Sequence, residues 1–164
     1  MQTDFVDGAL GSAEAVAIVP NVLSEIAKYE KSDIIATRDT HPEDYMQSRE
    51  GRYLPVPHCI YGTAGWQIHP AIAPALEDCL VIDKPTFGST ELCDHIVNLA
   101  KNEDISVTLI GLCTDICVVS NAMLIKSALP EIDVRVVANA CAGVTPESHA
   151  AALTTMKMCQ IDII

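Results

Sequence analysis

Short apolar runs alternate with helical segments along most of this 164-residue chain. Near-continuous apolar runs are typical of strands buried on both faces, as in a parallel sheet covered by helices. The segments between them carry apolar residues at helical spacing and predict crossover helices. The chain therefore predicts an α/β fold with a mostly parallel sheet. Its five strands are expected at residues 34–37, 79–82, 106–111, 132–138 and 161–164.

The intervening helices are predicted from apolar periodicity and from capping residues. Pro20 interrupts the first of them and shifts its expected start to about residue 20. Residues 1–11 and 38–61 are predicted to be loops, because Asp, Gly and Pro break any period there. The helices are expected at residues 13–31, 69–77, 90–100, 116–129 and 146–158.

Length and charge narrow the classes of function. A chain of 164 residues with 49% hydrophobic residues predicts one domain with a sizeable core. The net charge of −12 argues against duplex nucleic acid or an anionic membrane as a partner. No apolar run reaches bilayer length, and no signal peptide is visible. The seven irregularly spaced cysteines fit reduced thiols of the cytoplasm better than a disulfide framework or a zinc knuckle.

Residues 111–118, Gly-Leu-Cys-Thr-Asp-Ile-Cys-Val, follow the third predicted strand and open a predicted helix. This arrangement places Cys117 in the first turn of the helix, with Thr114 or Asp115 as the cap. Unpaired backbone N–H groups there favour a thiolate, so Cys117 is the candidate nucleophile. The alternative is a buried, inert thiol, which is the commoner state of a cysteine.

Asp39 and Lys84 also follow predicted strands closely. Because the chemistry of parallel α/β folds lies beyond the carboxyl ends of the strands, Asp39, Lys84 and Cys117 should converge. Lys84 would then hold an ammonium beside the Cys117 sulfur and lower the thiol pKa. A rim lysine that reaches into water is the alternative. The backbone N–H groups of Cys113 and Cys117 are the candidate oxyanion hole.

A second group of polar side chains points to a metal ion. Asp39 and His41 lie two residues apart at the end of a strand, where a period of two sends both side chains to one face. Glu50 and His58 follow in the irregular segment. Carboxylates and imidazoles suit Zn²⁺, Mn²⁺ or Fe²⁺, so these four residues predict a divalent metal site. Polar residues on a solvated loop are the alternative.

Five segments of the chain carry a family resemblance in combination. They are Gln2-x-Asp4-Phe5-Val6, Thr37-Arg38-Asp39-x-His41, Pro57-His58-Cys59-x-x-Gly62-Thr63-x-Gly65, Lys84 and Gly111-x-x-Thr114-Asp115-x-Cys117-Val118. Together they resemble the isochorismatase-like cysteine hydrolases, and within them the nicotinamidase-like branch. The resemblance covers nearly the whole chain.

The resemblance implies a Rossmann-like, three-layer domain over residues 1–164 with an Asp-Lys-Cys triad that cleaves a carboxamide through a thioester. Cys117 then takes the position of the nucleophile and Lys84 that of the triad lysine. A cis peptide before Cys113 and a place for Phe5 in the substrate pocket are also implied. The family's divalent metal ion would be held by Asp39, His41, Glu50 and His58.

One part of the family pattern is not found in these residues. The triad aspartate would fall immediately before Met1, and so would the first strand, which the resemblance places in the middle of the sheet. The domain is therefore expected to be N-terminally incomplete and to show little amidase activity as it stands. Asp4 as a substitute base is the alternative.

The metal positions favour nicotinamide or a related small carboxamide as the substrate. Leu54, Pro55 and Val56 stand where nicotinamidases commonly carry an aromatic residue, which weakens nicotinamide specifically. The alternatives are another amide or C–N hydrolase, an isochorismatase-type vinyl-ether hydrolase, and an inactive family member. A cytoplasmic homo-oligomer is expected from the resemblance and the cysteine usage.

Overall fold

The strands of the computed structural model, which describes residues 1–164, form two separate parallel sheets. The first sheet has the order β1-β2 and the second has the order β3-β4-β5. The strands are β1 (Ile35–Asp39), β2 (Leu80–Lys84), β3 (Ser106–Leu112), β4 (Asp133–Ala142) and β5 (Asp162–Ile163). The predicted parallel α/β class and all five strands are confirmed. The additional central strand stays a prediction.

Helices connect the strands and cover the sheets. They are α1 (Thr3–Val6), α2 (Ala13–Ala17), α3 (Val19–Ile26), α4 (Arg49–Tyr53), α5 (Thr90–Leu99), α6 (Val119–Ala128) and α7 (Pro146–Met158). Short 3₁₀ turns lie at Lys31–Asp33, Tyr45–Gln47 and Ala73–Leu76, and a single π turn lies at Thr114–Val118.

Local sequence explains where the longer helices begin. The Ser89 side chain accepts a hydrogen bond from the backbone of Leu92 and so caps α5. Thr145 and Ser148 form a reciprocal capping box at the start of α7, with Pro146 at a position that needs no N–H donor. These caps satisfy backbone donors that a helix start would otherwise leave unpaired.

Several sequence predictions are wrong in detail. The helix expected at 13–31 begins at Val19, close to the start near residue 20 that Pro20 predicts, but it ends at Ile26, and a separate short helix covers Ala13–Ala17. The segment 69–77 forms only a 3₁₀ turn. The loops expected at 1–11 and 38–61 contain α1 and α4, helices of 4 and 5 residues that are too short to show a period.

Two apolar clusters hold the layers together. The larger cluster joins α5, α6 and α7 to the sheets through residues such as Ile125, Val136 and Met156. The smaller cluster joins α3 to the other side of β4, where Ile72 and Val137 are buried. Helices therefore lie on both sides of the strands. None of these helices combines the length and the apolar character that a membrane crossing requires.

Candidate active site

Asp39, Lys84 and Cys117 converge at the carboxyl ends of the strands. Asp39 and Lys84 are register partners on β1 and β2, and their side chains form a buried ion pair. The Lys84 ammonium also donates to the Cys117 sulfur at 3.5 Å and to the carbonyl of Thr86 at 2.9 Å. The three groups thus form one chain of contacts from carboxylate to ammonium to thiol.

The electrostatics of this cluster oppose the thiolate that the sequence predicts. Burial raises the pKa of Cys117 to about 11, and the Asp39 charge adds to that effect. The Lys84 ammonium lowers the pKa of Cys117, but its effect is smaller than the combined effect of burial and the Asp39 charge. Burial alone would lower the pKa of Lys84, yet Cys117 and Asp39 together hold it above its ordinary value. Lys84 is therefore the stably charged member of the group.

Cys117 lies in a wide helical turn between β3 and α6. The expected side-chain caps are wrong, since neither Thr114 nor Asp115 caps this turn. The Thr114 hydroxyl instead shares a 2.8 Å hydrogen bond with His149 Nδ1. Asp115 accepts hydrogen bonds from the backbone N–H of Val144. The turn that carries Cys117 is thereby tied to the segment leading into α7.

The backbone around Cys113 faces the sulfur of Cys117. The peptide bond between Leu112 and Cys113 is cis, as the resemblance implies. The N–H of Cys113 donates to the Cys117 sulfur and lowers the pKa of its thiol. Gly111, just before this turn, has a φ of +107°, which a residue with a side chain rarely adopts. The Cys113 N–H therefore favours the thiolate form of Cys117.

Asp39, His41 and His58 form a compact, buried group that can hold a metal ion. One potential ligand atom from each of the three lies within 4.8 Å of the others. His58 Nδ1 is bound to the carbonyl of Val56, which leaves its Nε2 free to face the group. His41 Nε2 is buried and has no hydrogen-bond partner. An orphaned buried nitrogen beside a carboxylate and a second imidazole fits a divalent ion.

Glu50 lies at the edge of this group. Its Oε1 is 3.6 Å from His58 Nε2 and 3.9 Å from His41 Nε2. Of the four predicted ligands, three therefore form the close set, and Glu50 contacts their imidazoles. Tyr45 is fully buried with its ring centroid 5.0 Å from each imidazole, and it fixes their orientation by packing.

In the N-terminal segment, the Asp4 carboxylate is engaged in hydrogen bonds with backbone groups outside the Asp39-Lys84-Cys117 cluster. Asp4 accepts hydrogen bonds from the backbone N–H groups of Cys59 and Ala9. Its carboxylate lies where a side chain on Gly65 would otherwise be, only 2.3 Å or less from the Cβ position. Asp4 thus anchors the His58 loop, and the structure gives it no contact with Lys84 that a substitute base would need.

A cavity of about 870 Å³ opens over the cluster. Cys113, Cys117, Asp39 and His58 lie among its lining residues, and Phe5 contributes to the wall. Phe5 also meets the His58 ring edge-on at 5.4 Å between centroids. Phe87 lines the cavity, whereas Trp66 is buried beneath the guanidinium of Arg38 and serves the core.

Sequence reasoning missed three supporting residues. Gln2, Tyr45 and His149 each contact a site residue through the fold, and no local pattern distinguishes them from surface or core residues. His149 is half-buried on α7. The one sequence signal that marks any of the three is the place of Gln2 at the start of the first segment of the family resemblance.

A parallel α/β domain with a cysteine, a lysine and a carboxylate at its strand ends defines a cysteine hydrolase. The sequence model of the isochorismatase domain matches residues 1–164 of this chain. The chain therefore belongs to the isochorismatase family, and within it to the nicotinamidase-like amidohydrolases.

Three relatives support this placement. A pyrazinamidase of Pyrococcus horikoshii, solved in complex with zinc, is 31% identical, with 100% of this chain and 94% of that chain covered and a TM-score of 0.81. A pyrazinamidase/nicotinamidase of Streptococcus mutans is 27% identical, with 99% and 95% covered and a TM-score of 0.84. The nicotinamidase/pyrazinamidase of Mycobacterium tuberculosis is 24% identical over 180 residues, 100% of this chain and 94% of its own length.

Proposed function

We propose that this chain hydrolyses a small carboxamide, with nicotinamide as the foremost candidate, through a thioester on Cys117. The observation that carries the proposal is the contact of the Lys84 ammonium with the Cys117 sulfur in the wall of a cavity, beside the Asp39-His41-His58 group. The names of the relatives, nicotinamidase and pyrazinamidase, support an aromatic carboxamide as the substrate.

The proposed reaction has two stages. The deprotonated Cys117 sulfur attacks the carbonyl carbon, and the C–N bond breaks as the nitrogen takes up the thiol proton and leaves as ammonia. Water then adds to the thioester, the C–S bond breaks, and the acid leaves as the thiol is restored. The N–H groups of Cys113 and Cys117 and the charge of Lys84 would stabilise the oxyanion in both stages.

The proton transfers require a carboxylate. Asp39 is the carboxylate that contacts Lys84 in this structure, and it also belongs to the metal group. The resemblance places a separate triad aspartate immediately before Met1. We therefore propose that residues 1–164 alone turn over slowly, since one carboxylate would have to serve both the ammonium and the ion.

The metal group and Phe5 would position the substrate. Asp39, His41 and His58 would hold a divalent ion, which would supply a Lewis acid suited to a pyridine nitrogen. Phe5 would lie against the substrate ring, because it lines the cavity next to His58. Glu50 would hold the imidazoles from the side.

Ammonia release from nicotinamide tests the proposal. The chain is compared with a version extended upstream by a strand ending in the triad aspartate. We expect activity in the extended version, its loss on Cys117→Ala, and full retention on Cys159→Ser, a cysteine that does not line the cavity. Full turnover by residues 1–164 alone would overturn the assignment of the base, and activity in Cys117→Ala would overturn the nucleophile.

An inactive family member is the second candidate. The raised pKa of Cys117 favours it, because little thiolate forms near neutral pH when a thiol titrates at about 11. Binding of nicotinamide without ammonia release from either version would support this candidate. The cytoplasmic location and the homo-oligomer stay predictions, and size-exclusion chromatography with light scattering tests the second of them.

A further inference from the structure

Asn121 is a buried polar side chain on α6, one helical turn after Cys117, with 5% of its surface exposed. Its amide nitrogen donates to the carbonyl of Cys117 at 2.9 Å. Its amide oxygen accepts from the backbone N–H of Ser89 at 2.8 Å. A longer contact of the nitrogen reaches the carbonyl of Phe87 at 3.5 Å. The amide therefore bridges the turn that carries Cys117 and the 85–89 loop, which joins β2 to α5.

The 85–89 loop also contacts the lysine of the site. The carbonyl of Thr86 accepts a hydrogen bond from the Lys84 ammonium at 2.9 Å, and Thr86 lines the cavity. The same ammonium donates to the Cys117 sulfur at 3.5 Å. These contacts and the chain between them close a ring of five residues, which runs through Lys84, Thr86, Ser89, Asn121 and Cys117. The Asn121 bridge lies in this ring opposite the Lys84-Cys117 contact.

The loop is held close to α6 at the same place. A Cβ added to Gly88 would come within 2.7 Å of Leu124 Cδ1 and 3.4 Å of Ser120 Cβ. The Ser89 hydroxyl accepts from the backbone N–H of Leu92 and caps α5. Because Ser89 is fixed by α5 on one side and by Asn121 on the other, the bridge sets the spacing between the loop and the Cys117 turn.

Packing alone does not explain an amide at this position. Asparagine is mostly exposed in proteins, and the buried residues where α5 meets α6, such as Leu92 and Ile125, are apolar. The buried N–H of Ser89 needs an acceptor, which the Asn121 oxygen supplies. The donor to the Cys117 carbonyl serves neither the packing nor the cap. This part of the amide contacts the backbone of the candidate nucleophile.

We propose that Asn121 is a positioning residue, which holds the 85–89 loop and the Cys117 turn at the spacing where the Lys84 ammonium reaches the Cys117 sulfur. Asn121 is not among the residues that line the cavity, so it acts through Lys84 and the loop. The inference rests on the proposed function for the role of Cys117 as nucleophile. Its test measures alkylation and needs no turnover, so it can fail while ammonia release succeeds, and the reverse.

A double-mutant cycle on the alkylation rate of Cys117 tests the proposal. The cycle compares the unchanged chain, Asn121→Ser, Lys84→Gln and the double variant, with iodoacetamide at one pH and peptide mass spectrometry. Ser can still donate to the carbonyl four residues earlier, but its shorter side chain breaks the bridge to Ser89. Asn121→Leu, which keeps the shape and removes every polar atom, is the second variant.

Two controls separate positioning from general loosening. Asn98→Ser replaces an exposed asparagine of α5. Labelling of Cys93 in the same samples reports on the packing of α5 against α6, because its thiol contacts the carbonyl of Leu124 at 3.6 Å. This second comparison needs no Lys84 variant.

We expect both Asn121 variants to slow Cys117 alkylation by about fivefold, the effect of one net hydrogen bond, with Cys93 labelling and the Asn98→Ser protein unchanged. In the Lys84→Gln background, Asn121→Ser should change the rate by less than about twofold. Equal slowing with and without Lys84 would overturn the proposal, and so would faster alkylation of Cys117. Faster labelling of Cys93 with an unchanged Cys117 rate would reduce Asn121 to a packing residue.

Discussion

The Asp39 carboxylate belongs to two groups of the site at once. It forms an ion pair with Lys84, and it offers a ligand atom to the group with His41 and His58. Its negative charge raises the pKa of the neighbouring Cys117 thiol. A cation held at this group would offset that charge, because a bound ion is often the largest local charge in a site. The reactivity of the Cys117 thiol therefore depends on whether Asp39 is paired with Lys84 alone or also with a bound cation.

The pH dependence of Cys117 alkylation tests the balance of charges. The thiolate is the reacting species, so a thiol with a pKa of about 11 should react about tenfold faster for each pH unit between pH 7 and 10. Lys84 lowers the pKa of Cys117, so Lys84→Gln should slow the reaction at each pH. Iodoacetamide labelling is followed by peptide mass spectrometry, with Cys159 as the internal reference. A rate that levels off below pH 8 would instead show the resting thiolate that the sequence predicts.

The Zn²⁺ affinity of variants tests whether Glu50 binds the metal directly or only contacts the imidazoles of His41 and His58. His41→Ala removes a ligand atom from the compact set, so we expect Zn²⁺ affinity to fall by more than roughly 100-fold. Glu50→Gln removes a group that contacts the imidazoles, and a loss of about 10- to 100-fold is expected. The control is His69→Ala, a histidine outside the group. Competition with a chromophoric chelator measures all three. An equal loss for Glu50→Gln and His41→Ala would make Glu50 a direct ligand.

At the scale of elements, the site depends on how α7 holds the turn that carries Cys117. Thr114 is fully buried, and its hydroxyl reaches His149 on α7 at 2.8 Å. Gly143 lies against the backbone of His149, where an added Cβ would come within 2.9 Å of its N atom. Helix and turn therefore approach closely, and the hydrogen bond fixes their relative position.

Substitutions of His149 distinguish the effect of the Thr114-His149 hydrogen bond from the effect of packing alone. Asn can present a polar atom where His presents Nδ1, whereas Gln presents one where His presents Nε2. We expect His149→Ala and His149→Gln to leave the Thr114 hydroxyl unpaired and to lower the free energy of unfolding by about 1–3 kcal/mol. They should also change the alkylation rate of Cys117. His149→Asn should restore both values. Equal effects of Asn and Gln would show that the hydrogen bond has no positioning role.

Helices and strands can be predicted from the sequence where a local pattern marks each of them, whereas contacts between distant segments cannot. Apolar runs located the five strands, and the helices expected at 90–100 and 146–158 appear as α5 and α7, where Ser89 and Thr145 supply local caps. The π turn and the Thr114-His149 bond have no such signal, since both arise when distant segments pack together. The raised pKa of Cys117 was missed for the same reason, because helix position alone reveals neither the burial nor the Asp39 charge.

At the scale of the molecule, β4 joins the two apolar clusters. Val134 and Val136 belong to the larger cluster, and Val137 and Ala140 to the smaller one. One strand thus contributes to both sides of the layer, while an apolar slot separates β1 from β3. Because the clusters share β4, we expect them to unfold together as the single domain that the sequence predicts.

Matched truncations in the two clusters test that coupling. Ile125 and Ile72 are each 1% exposed, and each lies in a different cluster. Either change to Ala should cost about 2–5 kcal/mol through lost burial and a cavity, whereas Ile164→Ala, at 61% exposed, should cost little. Urea unfolding is followed by circular dichroism and by Trp66 fluorescence, which reports from near β1. Because β4 links the clusters, both probes should shift together in both variants. If Ile72→Ala moves the Trp66 transition while leaving circular dichroism largely in place, the cluster that contains Ile72 unfolds independently of the cluster that contains Ile125.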